Sequence, residues 1–101
     1  LAASFDLDVL RGFVAGIELG SYTRAADQLG RSTSALSTQL RRLEASAGAV
    51  LLRKDGRGLA LTQAGQVLFD YAKRLLALND EAMSAVHDMC AEGVVRVGIH
   101  A

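Results

Sequence analysis

No proline interrupts the 101 residues. Long helices are therefore free to form, since proline removes a backbone donor and clashes with the preceding turn. Tryptophan is also missing and aromatic residues are few. The apolar half of the chain is mostly Leu, Ala and Val, a mix that suits helix packing better than an aromatic-lined ligand pocket. A single cysteine, Cys90, excludes an intramolecular disulfide and makes a cytoplasmic setting the simpler expectation. With no cluster of bases beside it in sequence, that thiol reads as an inert packing residue. No apolar run reaches the ~18 residues that a membrane span requires, so no membrane association is expected.

Catalytic constellations are missing as well. No Ser, His and acid grouping, metal-ligand pair or phosphate-cradling loop occurs at a useful spacing. His87 and His100 stand alone, and Gly56-Arg57-Gly58 reads as a turn. An enzyme is not expected, nor a metal or cofactor in this stretch. The length fits one small, mainly helical domain and no second complete one. Opening on Leu1 rather than Met, the chain reads as trimmed or processed, and residues 1–4 are set aside from the fold argument.

Net charge is zero, but its distribution is uneven. From Arg24 to Arg57 seven bases face three acids, leaving +4, while each flank sums to −2. Screening confines such fields to ~10 Å at moderate salt, so a basic middle can attract phosphate even though the average vanishes. An ordinary solvated surface could carry the same residues.

Hydrophobic periodicity gives the elements. Leu7, Leu10, Val14 and Ile17 line one face of a first helix, capped by Asp6 and ended by Gly20. A short second helix opens at Ser21 or Thr23 and stops at Gly30. Ser32 caps a third, in which Leu36, Leu40, Leu43 and Ala47 form a buried stripe that closes at Gly48. So tight a glycine-containing joint between two helices predicts a helix-turn-helix. The period then shortens: Val50, Leu51 and Leu52, a turn-rich Lys54 to Gly58, then Leu59, Ala60 and Leu61 predict a β-hairpin, the wing. Thr62 can cap a last helix from Gln63 to about Ala91, roughly 43 Å long at ~1.5 Å per residue. Along it Ala64, Leu68, Tyr71, Leu75, Leu78, Ala82, Ala85 and Met89 alternate by four and three, a heptad seam that predicts a partner helix. Val94 to Ile99 has strand character and suggests that the chain continues into a further domain, of which these residues are the first strand or a frayed tail.

The fold expected is thus a mainly α winged helix-turn-helix over residues 1–62. A dimerisation linker helix follows over 63–92, and 93–101 begin a truncated effector-binding domain. Opposite the third helix's leucine stripe lie Ser34, Thr38 and Arg41, with Ser37 and Arg42 at the edges. Short hydroxyls let a helix sink into the major groove, and arginines can hold phosphate or the acceptor edge of guanine. Ser21 and Thr23 sit where a helix amino terminus offers free amides to phosphate. Lys54 and Arg57 lie on the wing, from which side chains follow the backbone or enter a minor groove. Arg24, Arg31, Ser32 and Thr33 flank the turn and complete the residues expected against DNA.

Ser21 to Leu29, then Ser32-Thr33-Ser34-Ala35-Leu36-Ser37, then Gln39, Leu40, Leu43, Glu44 and Gly48, resemble the signature of LysR-type transcriptional regulators. Leu51-Leu52, Lys54, Arg57, Leu61-Thr62 and Ala64-Gly65 resemble that family's wing and linker, and Gly93 to Gly98 the start of its effector domain. Residues 7–11 and 79–82 are similar to the LrhA- and HexA-like branch, whose members often control motility and virulence genes. The chain departs from the family where Thr33 and Ser34 replace a common Gln-Pro, and where Leu52 and Lys54 replace Phe and Arg. Thr33 cannot reproduce a glutamine's bidentate grip on adenine, which implies a different base preference there. The resemblance implies a bacterial, cytoplasmic, sequence-specific binder of double-stranded DNA, dimeric through its linker helix and tetrameric at full length. RNA polymerase is a further implied partner, and a small-molecule effector belongs to the absent C-terminal domain. The rival expectation is a coiled-coil interaction module whose winged domain docks protein.

Overall fold

The computed structural model describes residues 4–56 and 58–91. Its elements run α1 (Leu7–Leu19), α2 (Tyr22–Leu29), α3 (Thr33–Ala47), β1 (Leu52–Asp55), β2 (Gly58–Leu61) and α4 (Gln63–Ala91). Capping chemistry places the helix starts. The Asp6 carboxylate accepts from the Asp8 amide at 2.8 Å, Ser21 Oγ from Arg24 at 3.2 Å and Ser32 Oγ from Ala35 at 3.1 Å. Thr62 does two jobs: its hydroxyl donates to the Val50 carbonyl and accepts from the Gly65 amide, tying the start of α4 to the entry of the wing. Helices α1 to α3 each stop at a left-handed glycine: Gly20, Gly30 and Gly48.

Among the described residues no polar or charged side chain is fully buried, and the core is apolar throughout. Leu10, Phe13, Ala25, Leu36 and Leu51 are its innermost members, with Leu68, Ala72 and Leu76 closing it from α4. Phe13 lies outside the predicted α1 stripe, yet it is fully buried and meets Phe69 edge-on at 6.2 Å. The stripe was too narrow because α1 is covered by α2, α3 and α4 together. Leu7 and Ile17, which the stripe included, are only half-buried.

The wing is tighter than its turn-rich sequence suggested. Asp55 pairs with Gly58 and Leu52 with Leu61, so Lys54, Asp55 and Gly58 belong to strands and only positions 56 and 57 link them. Gly56 adopts φ 61°, the left-handed value that a two-residue hairpin needs at this point. Val50, expected in the first strand, precedes it and is 62% exposed. Where α4 begins, a side chain on Gly65 would overlap the backbone carbonyl of Leu51. Helix and strand approach this closely only because Gly65 has no Cβ.

Along α4 the burial pattern changes. Gly65, Leu68, Ala72 and Leu76 face the core and Asn79 is half-buried, but residues 80–90 are all exposed. An Arg11–Asp80 ion pair at 2.8 Å is the last tie between α4 and α1 along the helix. The helix then leaves its own domain behind.

Candidate nucleic-acid interface

Burying Leu36, Leu40 and Leu43 turns the opposite face of α3 to solvent. Thr33, Ser34, Thr38, Arg41 and Arg42 are exposed there, and Ser37 is half-buried at the edge. Short hydroxyl side chains make this face slim, and no hydrogen bond or ion pair among the described residues engages the two arginine side chains. Beside it runs a cleft between α2, α3 and the wing, lined by Tyr22, Ser37, Arg41, Glu44 and Lys54. Strand alternation puts Lys54 on the same side of β1 as buried Leu52, toward this cleft, and Arg53 on the other side. The structure thus brings α3 and Lys54 into one cationic, hydroxyl-bearing surface.

Glu44 was not among the expected site residues, and it fixes the geometry of this surface. Its Oε2 accepts from the Leu51 amide at 2.8 Å and from the Leu52 amide at 3.3 Å, clamping α3 to the start of the wing. The available signal was an acid near the middle of a basic stretch, followed seven and eight residues later by two amides at the entry to a strand. Tyr22, beside it, has its phenol pushed above the usual range by burial and, secondarily, by the Glu44 charge.

Other expected contacts sort differently. Thr23 and Arg24 are exposed at the start of α2. The Ser21 and Ser32 hydroxyls are occupied as helix caps, although Ser32 remains exposed. Arg31 is half-buried and turned inward, Nη1 reaching the Asp8 carbonyl at 3.2 Å and Gln39 Oε1 at 3.0 Å. Arg57 and the strand-like 94–99 run lie outside the described residues.

On α4, Tyr71, Leu75, Leu78, Ala82, Ala85 and Met89 of the expected seam are exposed. Leu68 is not: it is 8% exposed and packs into the chain's own core, because α4 must close that core before it departs. Val67, Met83 and Val86 add exposed apolar surface outside the heptad. An apolar groove lined by Phe5, Ala49, Val67, Tyr71 and Leu75 runs along the proximal half of α4. Cys90 is exposed on the distal half rather than packed within this chain, and His87 is exposed there too. Among the described residues no cluster of three or more His, Cys, Asp or Glu could hold a metal ion. Among them no helix is long and apolar enough to cross a membrane.

Residues 7–66 match the family model described as bacterial regulatory helix-turn-helix protein, lysR family. The chain is 42% identical over 94 residues to the HTH-type transcriptional regulator DgdR of Burkholderia cepacia, covering 93% of this chain and 31% of that protein. It is 46% identical over 96 residues to PtxR of Pseudomonas aeruginosa, covering 95% of this chain and 31% of that protein. It therefore spans about a third of these curated relatives' length. Among solved structures, a BenM_DBD/catB site 1 DNA complex superposes with a TM-score of 0.80 at 35% identity, over 85% of this chain and 96% of that one. A CbnR_DBD–DNA complex does so at 0.76 and 31% identity, over 85% and 99%.

Proposed function

Because the chain belongs to the LysR family of bacterial regulatory helix-turn-helix proteins, we propose that it binds double-stranded DNA sequence-specifically as a homodimer and so regulates transcription. Helix α3 enters the major groove, its hydroxyl face against base edges and its arginines against phosphates. Lys54 follows the backbone from the wing. The observation that carries this reading is the exposure of Ser34, Thr38, Arg41 and Arg42 on one uncovered helix face, with Lys54 directed to the neighbouring cleft. Two such faces are paired through α4, whose distal half exposes Leu78, Met83, Val86 and Met89.

The intact protein, on this reading, is a cytoplasmic regulator and not an enzyme. It continues beyond this stretch into a domain that senses a small molecule, assembles as a tetramer of paired dimers and acts on RNA polymerase. Support comes from relatives about three times longer than this chain, named as transcriptional regulators. Selection of binding duplexes from a random library, followed by titration at several salt concentrations, tests the central claim. A convergent selected sequence whose affinity falls steeply with salt is expected, because phosphate contacts release counterions. A dimer that selects nothing, or that binds with indifference to salt, would instead fit an interaction module that docks protein.

A further inference from the structure

Arg31 immediately precedes Ser32, the cap of α3, in the short joint between α2 and α3. A cation in this place reads at first as one more phosphate ligand. Its guanidinium instead points into the molecule. Nη1 donates to the Asp8 carbonyl in the first turn of α1 and to Gln39 Oε1, six residues beyond the first residue of α3. One nitrogen thus joins the joint, α1 and the middle of α3. Gly12 lies beside it: an added Cβ would stand 3.5 Å from that nitrogen, an ordinary contact, but only 2.5 Å from the Leu36 Cδ1, so the glycine makes room for Leu36.

The consequence concerns the roll of α3 about its own axis. The buried Leu36, Leu40 and Leu43 stripe holds one side of the helix, but apolar contacts are not directional and permit some rotation. Side-chain tips lie roughly 5–6 Å from a helix axis, so a 20° roll carries them about 2 Å. Hydrogen bonds to base edges have a distance window of only about 0.5 Å. A directional tie on the α1 side of the helix is what would hold Ser34 and Thr38 within that window. We propose that Arg31, through Gln39 and the Asp8 carbonyl, is a positioning residue that sets the roll of α3 and thereby sequence specificity, rather than a phosphate contact. This rests on the DNA-binding reading above.

Arg31→Met, Gln39→Leu and the double variant test it. Binding is measured by fluorescence anisotropy on the duplex selected by the unsubstituted chain and on a scrambled duplex, each over a range of salt. Either single variant should weaken binding to the selected duplex by about tenfold, the order supplied by one hydrogen bond to a charged group. The double variant should lose little more, since both changes cut the same tie. Affinity for the scrambled duplex and the salt slope should stay as in the parent. A variant that merely lost folded population would weaken on both duplexes alike, and that result overturns the proposal. So does a fall in the Arg31→Met salt slope by about one for each copy in the dimer, the signature of a lost phosphate contact. Should Arg31→Met not fold, Gln39→Leu decides alone, because it alters no charge, and unchanged discrimination between the duplexes would refute the positioning role. If the unsubstituted chain selects no duplex, the DNA-binding reading itself has failed, and this proposal falls with it.

Discussion

Leu78 offers the sharpest test of what α4 is for. It belongs to the heptad seam, lies two residues beyond the last α4 member of the core and leaves 61% of its surface to solvent. Full burial of a leucine side chain contributes about 1.5–3 kcal/mol, so covering the exposed six-tenths contributes roughly 1–2 kcal/mol. A twofold-symmetric dimer does this twice, for about 2–4 kcal/mol in all. Leu78→Ala should therefore raise the dimer Kd by about 30- to 700-fold, taking 1.4 kcal/mol per factor of ten. The thermal stability of the dissociated protomer should hardly change, because its own core does not include Leu78. Sedimentation equilibrium over a range of concentrations reads the first effect, and calorimetry at high dilution the second. Ser84→Glu is the control: the residue is exposed roughly a third of a turn round the helix from Leu78 and outside the seam. Equal Kd values for Leu78→Ala and the parent would show that the seam does not pair, and a larger effect from Ser84→Glu would show that the pairing face was drawn on the wrong side.

Arg41→Ala with Arg42→Ala removes four guanidiniums from a dimer. Each lost phosphate contact lowers the slope of log affinity against log salt by about 0.9, so anisotropy titrations should show it flattened by up to about 3.6 with dimerisation intact. An unaltered slope would take α3 off the phosphate backbone. Gly65→Ala forces a methyl group against the Leu51 carbonyl, and overpacking of this kind costs about 1–3 kcal/mol. Even after a helix-propensity gain of about 1 kcal/mol, the melting temperature should fall by a few degrees, and a rise would refute the close approach. The Arg11 hydrogen bond first, and Asn79 second, hold the Asp80 carboxyl below its usual pKa. Its stabilising effect is therefore present above the ordinary carboxylate range near ~4 and is lost as pH falls through the lowered value. With 60% of the Asp80 side chain exposed the effect is small, but the melting-temperature gap between the parent and Asp80→Asn should close on acidification. A gap independent of pH would mean that the ion pair contributes nothing.

Local chemistry was legible in the sequence wherever one residue determines one backbone feature. Asp6, Ser21 and Ser32 cap because a short acceptor beside free amides has few other uses, and Gly20, Gly30 and Gly48 stop helices because each takes a left-handed conformation. Exposure of Ser34, Thr38 and Arg41 followed from the leucine stripe opposite them, since a helix that buries one face shows the other. What was not legible depends on partners distant in sequence. Phe13 is central because α4 returns over α1 and sets Phe69 against it. Leu68 fits a heptad perfectly well, yet the domain's need to close its own core takes it first. Arg31 and Glu44 bear charges of opposite sign, and both are committed to acceptors or donors that only the folded chain brings near.

Those two residues also tie the exposed face of α3 to its neighbours on both sides. Helix α3 is attached to its neighbours by leucines on one side, which fix its depth but resist roll and slide only weakly. Directional bonds supply the rest: Arg31 ties its amino-terminal half to α1, and Glu44 ties its carboxy-terminal half to the wing. A carboxylate beside Arg41, Arg42 and Lys54 opposes their charge, but the Oε2 of Glu44 is occupied by two backbone amides and the group cannot turn outward without leaving both unsatisfied. The acid is thus retained for geometry, while Arg41, Arg42 and Lys54 around it keep the local field positive. The start of α4 joins the same unit, because the Thr62 hydroxyl and the tight fit at Gly65 fix it against the entry of the wing that Glu44 holds to α3.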